Sequence, residues 1–172
     1  MECGMELNAA KELKLAGQVS HVVITERVED IELSGRRIEL LEPVTLDISY
    51  SFDGEGINLT GTLSSVVKMN CTRCNEEFAQ PFSVQLNERF LKVSESEAEE
   101  LECYTYAGET LDLDKMVQDA ILLNAPIYGV CKPDCKGLCP VCGTNLNITQ
   151  CSCCETEEDN PFAVLRTLLK DQ

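Results

Sequence analysis

Apolar and polar residues alternate along the first half of the chain in a pattern typical of β-strands. Every second residue from Val44 to Phe52 is apolar or aromatic, which is the period of a strand with one buried face. The turn-forming residues 53–56 follow, and a return strand is predicted from Ile57 to Met69. Alternation resumes at Phe82 and ends near Phe90. These three strands predict an antiparallel β-meander.

The rest of the chain gives shorter signals. Residues 18–24 are typical of a strand, residues 30–35 of a strand end and a turn, and residues 103–106 of one more short strand. Residues 94–102 contain five glutamates, and this acidic run is expected to form a solvated loop or linker.

Two amphipathic helices are predicted in the second half of the chain. The first follows Asp112, a suitable N-cap, and ends before Pro126. Its apolar residues recur at the spacing of one helical face, namely Leu113, Met116, Val117, Ala120 and Ile121. The second begins at Asn160-Pro161, and its apolar face consists of Phe162, Leu165, Leu168 and Leu169. A meander with one or two packing helices defines an α+β fold.

Cysteines are concentrated in one segment, because seven of the eleven lie between Cys131 and Cys154. Within it, Cys139-Pro-Val-Cys142-Gly143 has the pattern of a zinc knuckle. Two thiolates separated by two residues can hold one metal, and the glycine permits a tight turn that directs N–H groups at the sulfurs. A second C-x-x-C, at 71–74, lies between two predicted strands. Disulfides, an iron–sulfur cluster and zinc are the three explanations for such a density.

Disulfides are disfavoured by the rest of the sequence. The N-terminus lacks the basic start and apolar stretch of a signal peptide, and no segment approaches the roughly 18 apolar residues of a membrane span. A cytoplasmic location is therefore expected, where thiols stay reduced and clustered cysteines bind metal. Eleven is also an odd number for a closed disulfide framework.

An iron–sulfur cluster is the sharpest competing interpretation. Cys135, Cys139 and Cys142 have the three-cysteine spacing of radical enzymes that use S-adenosylmethionine. Those enzymes build a large barrel around cluster and substrate, which 172 residues mostly committed to a meander cannot supply. A simple electron-transfer cluster stays open as an alternative.

Structural zinc takes four protein ligands in a tetrahedron, so four cysteine pairs predict two zinc ions. The pairs are Cys71/Cys74, Cys131/Cys135, Cys139/Cys142 and Cys151/Cys153. In the simplest arrangement the last two pairs share one ion as a compact zinc ribbon, and the first two pairs share the other. In the alternative the middle pairs share one ion and the outer pairs share the second. Cys3, Cys103 and Cys154 are left over, although Cys154 could replace Cys153.

The net charge of −16, from 14 basic and 30 acidic residues, predicts a soluble protein that avoids non-specific contact with RNA and anionic membranes. Zinc ions held by eight thiolates would make it more acidic still. No catalytic constellation is visible, and closed four-thiolate sites leave no position for Lewis-acid chemistry. The only histidine, His21, is expected to be partly buried rather than a general base. Neither enzymatic activity nor a small-molecule substrate is expected.

The cysteine motifs and their neighbours resemble the YceD family, the large ribosomal RNA subunit accumulation proteins. The resemblance rests on Cys71-Thr-Arg-Cys74, Leu111-Asp-Leu113, Ala125-Pro126, the Cys-Lys-Gly-Leu-Cys-Pro-x-Cys-Gly-x-Asn-Leu-Asn stretch that ends at Asn147, and Cys151-x-Cys153. It covers nearly the whole chain from about residue 40. It implies a bacterial cytoplasmic factor, not an enzyme, that is needed for accumulation of 23S ribosomal RNA and acts in processing or large-subunit assembly. Many members carry Asp-Pro-Arg where this chain has Asn160-Pro161-Phe162.

The chain is expected to form two parts that pack as one unit. Residues 1–130 hold the meander, a helix and the knuckle at 71–74. Residues 131–172 hold the cysteine-rich zinc segment and the terminal helix. If the two knuckles share a metal ion, four basic residues lie near it, namely Lys68, Arg73, Lys132 and Lys136.

These four basic residues separate two hypotheses about partners. In the first, they contact phosphates of a ribosomal RNA precursor or of large-subunit assembly components, because the phosphate backbone favours Lys and Arg. In the second, the chain is an adaptor whose acidic surface binds basic ribosomal proteins and touches no RNA.

Overall fold

The computed structural model describes residues 4–33 and 35–155 of the chain. Within them the strands are β1 (Glu6–Asn8), β2 (Val19–Glu26), β3 (Ile31–Leu33), β4 (Arg36–Ile38), β5 (Val44–Phe52), β6 (Gly56–Asn70), β7 (Glu77–Leu91), β8 (Tyr104–Thr105) and β9 (Thr110–Asp112). The helices are α1 (Glu95–Glu100) and α2 (Asp114–Asn124), with 3-10 turns at Glu12–Lys14 and Ser152–Glu155. The predicted terminal helix after Asn160 lies outside the described residues.

A five-stranded sheet is the largest element, with the strand order β2-β5-β6-β7-β8. Strand β5 pairs antiparallel with both β2 and β6, and the short β8 pairs parallel with β7. Strands β1 and β9 form a second sheet, and β3 and β4 form a third. The predicted α+β fold with an antiparallel meander is confirmed, and β8 adds one parallel edge.

One face of the meander supplies the apolar core, as the alternation of residues predicts. The side chains of Leu46, Ile48, Leu59 and Leu63 are fully buried. Helix α2 buries four residues, Met116, Val117, Ala120 and Ile121, along the predicted stripe. The N-cap of α2 is Leu113, one residue later than the predicted Asp112, and no side chain in the described part of the chain caps the helix. Asp112 Oδ1 instead accepts a hydrogen bond from the N–H of Asp114 at 2.9 Å in the turn that leads into the helix.

The acidic run 94–102 differs from the prediction, because it forms helix α1 rather than a loop. Ser94 is the N-cap, its hydroxyl accepts from the N–H of Glu97, and the Glu97 carboxylate accepts from the N–H of Ser94 at 3.0 Å. This reciprocal capping box stabilises the first turn, and Ala98 is buried. The hydrogen bonds from Ser94 also lower the pKa of Glu97. Capping and one buried alanine therefore outweigh the repulsion between the glutamates.

His21 also differs from its prediction. It lies on the exposed face of β2, with its Nε2 atom 2.6 Å from Asp47 Oδ1 on β5, and 58% of its side chain is accessible. The alternation in β2 places odd-numbered residues on the exposed face, so His21 is not part of the core.

The chain divides into two compact units. Residues up to 69 together with 79–127 form the first, and residues 70–78 together with the described residues from 128 onward form the second. The knuckle at 71–74 therefore groups with the cysteine-rich segment. The packing of residues 131–172 and 1–130 as a single unit stays a prediction. Neither helix in the described part of the chain is long and apolar enough to cross a membrane.

Candidate metal centre

Eight cysteines of the second unit form two clusters of four. In the first cluster the Sγ atoms of Cys71, Cys74, Cys131 and Cys135 all lie within 4.8 Å of one another. The sulfurs of Cys71 and Cys135 are 3.8 Å apart, and those of Cys74 and Cys131 are 3.7 Å apart. All of its members except the half-buried Cys131 are buried. Such a cluster offers four sulfur ligands to one ion.

The knuckle at 71–74 is shaped by a tight turn at the end of β6. The N–H of Asn75 donates to the carbonyl of Cys71 at 2.8 Å, and the N–H of Cys71 donates to the carbonyl of Glu76 at 2.9 Å. Asn75 has φ 60°, a left-handed conformation that asparagine tolerates better than most residues. The turn aims the N–H of Arg73 at Cys71 Sγ, at 3.4 Å.

The knuckle is joined to the second half of its cluster by backbone hydrogen bonds. The N–H of Thr72 donates to the carbonyl of Gly129 at 3.0 Å, and the N–H of Leu138 donates to the carbonyl of Arg73 at 3.0 Å. The Arg73 guanidinium donates to the carbonyl of Cys135 at 3.0 Å. Gly137 has φ 76°, and a Cβ there would lie 3.1 Å from the Arg73 carbonyl oxygen, so both the backbone conformation and this close approach favour glycine.

The second cluster contains Cys139, Cys142, Cys151 and Cys153, again with all sulfurs within 4.8 Å of one another. Its knuckle repeats the local geometry of the first. The N–H of Gly143, at φ 73°, donates to the carbonyl of Cys139 at 2.9 Å, and the N–H of Val141 points to Cys139 Sγ at 3.4 Å. Cys139 is buried and Cys142 is exposed. The two clusters correspond to the first of the two pairings that the spacing leaves open.

Two asparagines that are not among the predicted site residues support the first cluster. The amide of Asn147 donates to Cys135 Sγ at 3.4 Å, while its oxygen accepts from the N–H of Lys136 at 2.9 Å. Asn145 Oδ1 accepts from the amide of Asn147, and its own amide donates to Glu76 at 3.1 Å. The only sequence feature that could have indicated this role is their Asn-x-Asn spacing between two cysteine pairs.

Ionisation of the thiols is strongly uneven within each cluster. Burial raises the pKa of Cys71, but N–H groups of Cys131, Cys74 and Arg73 directed at its sulfur outweigh burial and lower the pKa to about 6. N–H groups of Cys142 and Val141 lower the pKa of Cys139 to about 6.

Other members of the clusters shift in the opposite direction. Burial and the neighbouring sulfur of Cys71 raise the pKa of Cys131 to about 12, and the sulfur of Cys142 raises the pKa of Cys153 to about 12. Crowded sulfurs cannot all ionise together unless a cation compensates their charge. A divalent ion bound at the centre of a cluster would supply that compensation.

The distances fit a single tetrahedral ion. Metal–sulfur bonds of about 2.3 Å, as in zinc sites, give sulfur–sulfur edges of about 3.8 Å in a regular tetrahedron. A disulfide requires about 2.05 Å, far less than the observed separations. A multi-iron cluster would spread its cysteines further apart, because iron and sulfide lie between them. Each cluster can therefore hold one metal ion.

The four predicted basic residues are divided between the two units. Arg73, Lys132 and Lys136 are exposed in the second unit, beside cysteines of the first cluster in the sequence. Lys68 belongs to the first unit and is half-buried, and its Nζ atom lies 3.5 Å from the carboxylate of Glu39. Of the leftover cysteines, Cys103 is half-buried and joins neither cluster. Cys3 and the side chain of Cys154 lie outside the described parts.

Replacing Asn147 with alanine is expected to weaken metal retention at the first cluster. The substitution removes a donor to Cys135 Sγ and the acceptor for the N–H of Lys136. Loss of such an outer ligand contact typically lowers metal affinity about 10- to 100-fold. Competition with a chromogenic chelator measures the change. Gln150→Ala, at an exposed position three residues on, is the matched control. Equal affinities in the two variants would contradict this role.

Comparison with known proteins places these clusters in a family. The model of the family described as large ribosomal RNA subunit accumulation protein YceD matches residues 59–169, which include all eight clustered cysteines. An uncharacterised protein of Mycobacterium tuberculosis is 36% identical over 104 residues, which cover 59% of this chain and 50% of that protein.

A plant protein is also similar. The chloroplastic large ribosomal RNA subunit accumulation protein YCED homolog 1 of Zea mays is 24% identical over 189 residues, covering 90% of this chain and 64% of the plant protein. The chain spans about half the length of the mycobacterial relatives that it matches. No solved structure matches it. Because the family match extends over more than half of the chain, the chain belongs to the YceD family.

Proposed function

We propose that the chain is a non-enzymatic factor that supports accumulation of large-subunit ribosomal RNA and acts in 23S processing or large-subunit assembly. The observation that carries the proposal is the family match over residues 59–169, which spans both cysteine clusters. The Zea mays and Arabidopsis thaliana relatives are named for large ribosomal RNA subunit accumulation. Cells depleted of the chain are expected to lose mature large-subunit RNA relative to small-subunit RNA. An unchanged ratio of the two RNAs, measured after depletion, would refute the proposal.

Two zinc ions are the cofactors in this proposal, each held by four cysteines. Thiolates select soft ions, and four sulfurs at tetrahedral spacing suit zinc. A site closed by four protein ligands has no position for substrate or water, which supports a structural role. Metal analysis of protein purified without added zinc is expected to give close to two equivalents. Iron with the visible absorption of an iron–sulfur cluster would contradict the assignment.

Direct RNA contact is proposed for the exposed cations of the second unit. By sequence, the second unit contains five basic and eight acidic residues, and three of the basic ones, Arg73, Lys132 and Lys136, are exposed in its described part. The rest of the chain is more acidic, with nine basic and 22 acidic residues. RNA is repelled by the whole chain at long range, so contact requires local cations that act within the Debye length of about 8 Å.

Replacing Arg73, Lys132 and Lys136 with alanine is expected to weaken binding to large-subunit precursors. The salt dependence of log affinity is expected to become shallower by about one unit per lost phosphate contact. Binding is measured at several salt concentrations, with zinc content and circular dichroism confirming that the variant is folded. The control variant removes the same charge from exposed positions of the first unit, Lys11, Lys14 and Lys92. Equal binding by both variants would exclude the proposed RNA contact.

The adaptor hypothesis has one observation in its favour. Helix α1 presents the exposed carboxylates of Glu95, Glu99 and Glu100 on an ordered scaffold rather than a loose loop. If this acidic helix binds basic ribosomal proteins, neutralising these glutamates to glutamine lowers association with precursors, whereas the alanine substitutions in the second unit leave association unchanged. Those two variants therefore separate the hypotheses in one assay.

A further inference from the structure

Among the described residues, β2 forms the long unpaired edge of the five-stranded sheet. It pairs with β5 along its whole length, from Val19 opposite Ser51 to Glu26 opposite Val44. On the other side no backbone hydrogen bond reaches β2 from any described residue. In an antiparallel pair, alternate residues direct their N–H and C=O groups away from the partner. Half of the backbone groups of β2 therefore face outward, ready to pair with another strand.

This edge lacks the features that usually prevent further pairing. Proteins protect open edges with lysine, proline, bulges or very short strands. Strand β2 has eight residues in continuous register, contains no lysine or proline, and is rich in β-branched residues. Two of its valines are conspicuously accessible, Val19 at 67% and Val23 at 55%. The opposite edge of the sheet, β8, is only two residues long.

An acidic cleft begins where β2 ends. Glu26, the last residue of the strand, lines a cavity of about 970 Å³ in the first unit. Seven of its thirteen lining residues are acidic, Glu29 and Glu32 among them, and Arg27 is the one basic residue. Arg37 pairs with one acid of the lining, Asp30, at 2.7 Å, and it lies opposite Glu32 in the pairing of β3 with β4. Five further acidic residues of the lining keep the cleft negative. A strand added along β2 and continuing past Glu26 would enter this negative region.

We propose that β2 is a docking edge for an extended, lysine- and arginine-rich segment of a partner protein. The segment adds a sixth strand to the sheet through backbone hydrogen bonds, and its basic side chains lie against the carboxylates of the adjoining cleft. Backbone pairing supplies affinity in this mode of recognition, and the flanking charges supply selectivity. The proposal concerns the first unit and does not depend on RNA contact by the second.

Charge decides against a second copy of the chain as the occupant. Two copies paired through β2 would each bring a net charge of −16 and the same acidic cleft. Like charges at that density oppose association, whereas a basic segment is attracted. The same argument disfavours an acidic or neutral peptide.

The probe for this site is a synthetic peptide of alternating lysine and valine, equal in length to β2. Its matched control has the same sequence with alternate backbone nitrogens methylated, which removes donors without changing charge. Binding to the full-length chain is measured by calorimetry at two salt concentrations. Hydrogen exchange of residues 19–26 is measured with and without peptide.

We expect the unmodified peptide to bind, to slow exchange in β2, and to bind more weakly at high salt. Methylation is expected to lower affinity about tenfold or more, the value of one or two net backbone hydrogen bonds. Val23→Lys is expected to weaken binding similarly, while Leu123→Lys, at an exposed position on α2, has no effect. Glu29→Gln with Glu32→Gln is expected to weaken binding and its salt dependence, unlike Glu95→Gln with Glu99→Gln.

Three results would overturn the proposal. Equal binding of the methylated peptide would show attraction by charge alone. Unchanged exchange in residues 19–26 on binding would place the peptide elsewhere. Sedimentation showing that the chain alone forms a dimer, which Val23→Lys dissociates, would identify a second copy as the occupant of β2.

Discussion

Replacing both Cys71 and Cys74 with serine is expected to unfold much of the second unit and to remove one of two zinc equivalents. The knuckle and the segment after residue 128 share the first cluster, so neither half keeps a complete ligand set. Structural zinc contributes on the order of 10 kcal/mol to folding in small domains. The backbone hydrogen bonds between the two halves, such as Thr72 to Gly129, are too few to replace that contribution.

Hydrogen exchange measures this loss residue by residue. Amides at 70–78 and 128–138 are expected to lose protection, whereas the strands of the first unit keep theirs. Replacing Cys151 and Cys153 with serine is expected to affect mainly residues 139–155, because those cysteines belong to the second cluster.

Cys103→Ser is the matched thiol control, since Cys103 joins neither cluster, and it is expected to leave both metals bound. The grouping of cysteines is wrong if the two double variants lose protection at the same residues.

The strands were predictable because one face of the meander is buried and the other is exposed to solvent. That arrangement imposes a period of two on the sequence. Strand β5 runs from Val44 to Phe52, as the alternation predicts, and β6 extends one residue beyond the predicted return strand at each end. The short strand predicted at residues 103–106 corresponds to β8 (Tyr104–Thr105), but nothing in the pattern indicates that its two residues pair parallel with β7.

Helix α1 was missed because its many glutamates suggested a loop and its capping residues were overlooked. Five glutamates between residues 94 and 102 indicate a solvated segment, and the segment is indeed exposed. The decisive information was the spacing of Ser94 and Glu97, which lets each side chain bond the other residue's N–H. The glutamates therefore predict the solvent exposure of the segment, whereas the capping box determines that it is helical.

The metal centre was predictable in its ligands but not in its connectivity. Thiol pairs with knuckle spacing identify themselves locally, because each pair is made by one tight turn. The pairing of the cysteine pairs depends on contacts between residues far apart in sequence, such as Arg73 with Leu138. The spacing of the cysteines does not predict such contacts. The role of Asn147 was unpredictable for the same reason, because it depends on the fold bringing the Asn147 amide to the Cys135 sulfur.

Gly61→Ala is expected to destabilise the first unit severely. Gly61 lies opposite Ile48 in the pairing of β6 with β5, at the centre of the sheet. A Cβ at this position would overlap the carbonyl oxygen of Asp47 and lie 2.7 Å from Ile48 Cα. Both atoms belong to backbone that is fixed by strand pairing, so relief requires the strands to separate. A cost of about 3 kcal/mol or more is expected for such an overlap.

The control for this prediction is Gly54→Ala. Gly54 has φ 103°, but a Cβ there meets no atom within 4 Å, so only the conformational cost of about 1–2 kcal/mol applies. Urea unfolding followed by circular dichroism compares the two variants with the unchanged protein. Because β5 and β6 also carry the buried Leu46 and Leu63, their separation opens the core and adds to the loss in Gly61→Ala. A Gly61→Ala variant as stable as Gly54→Ala would show that β5 and β6 are not paired as closely as the structure places them.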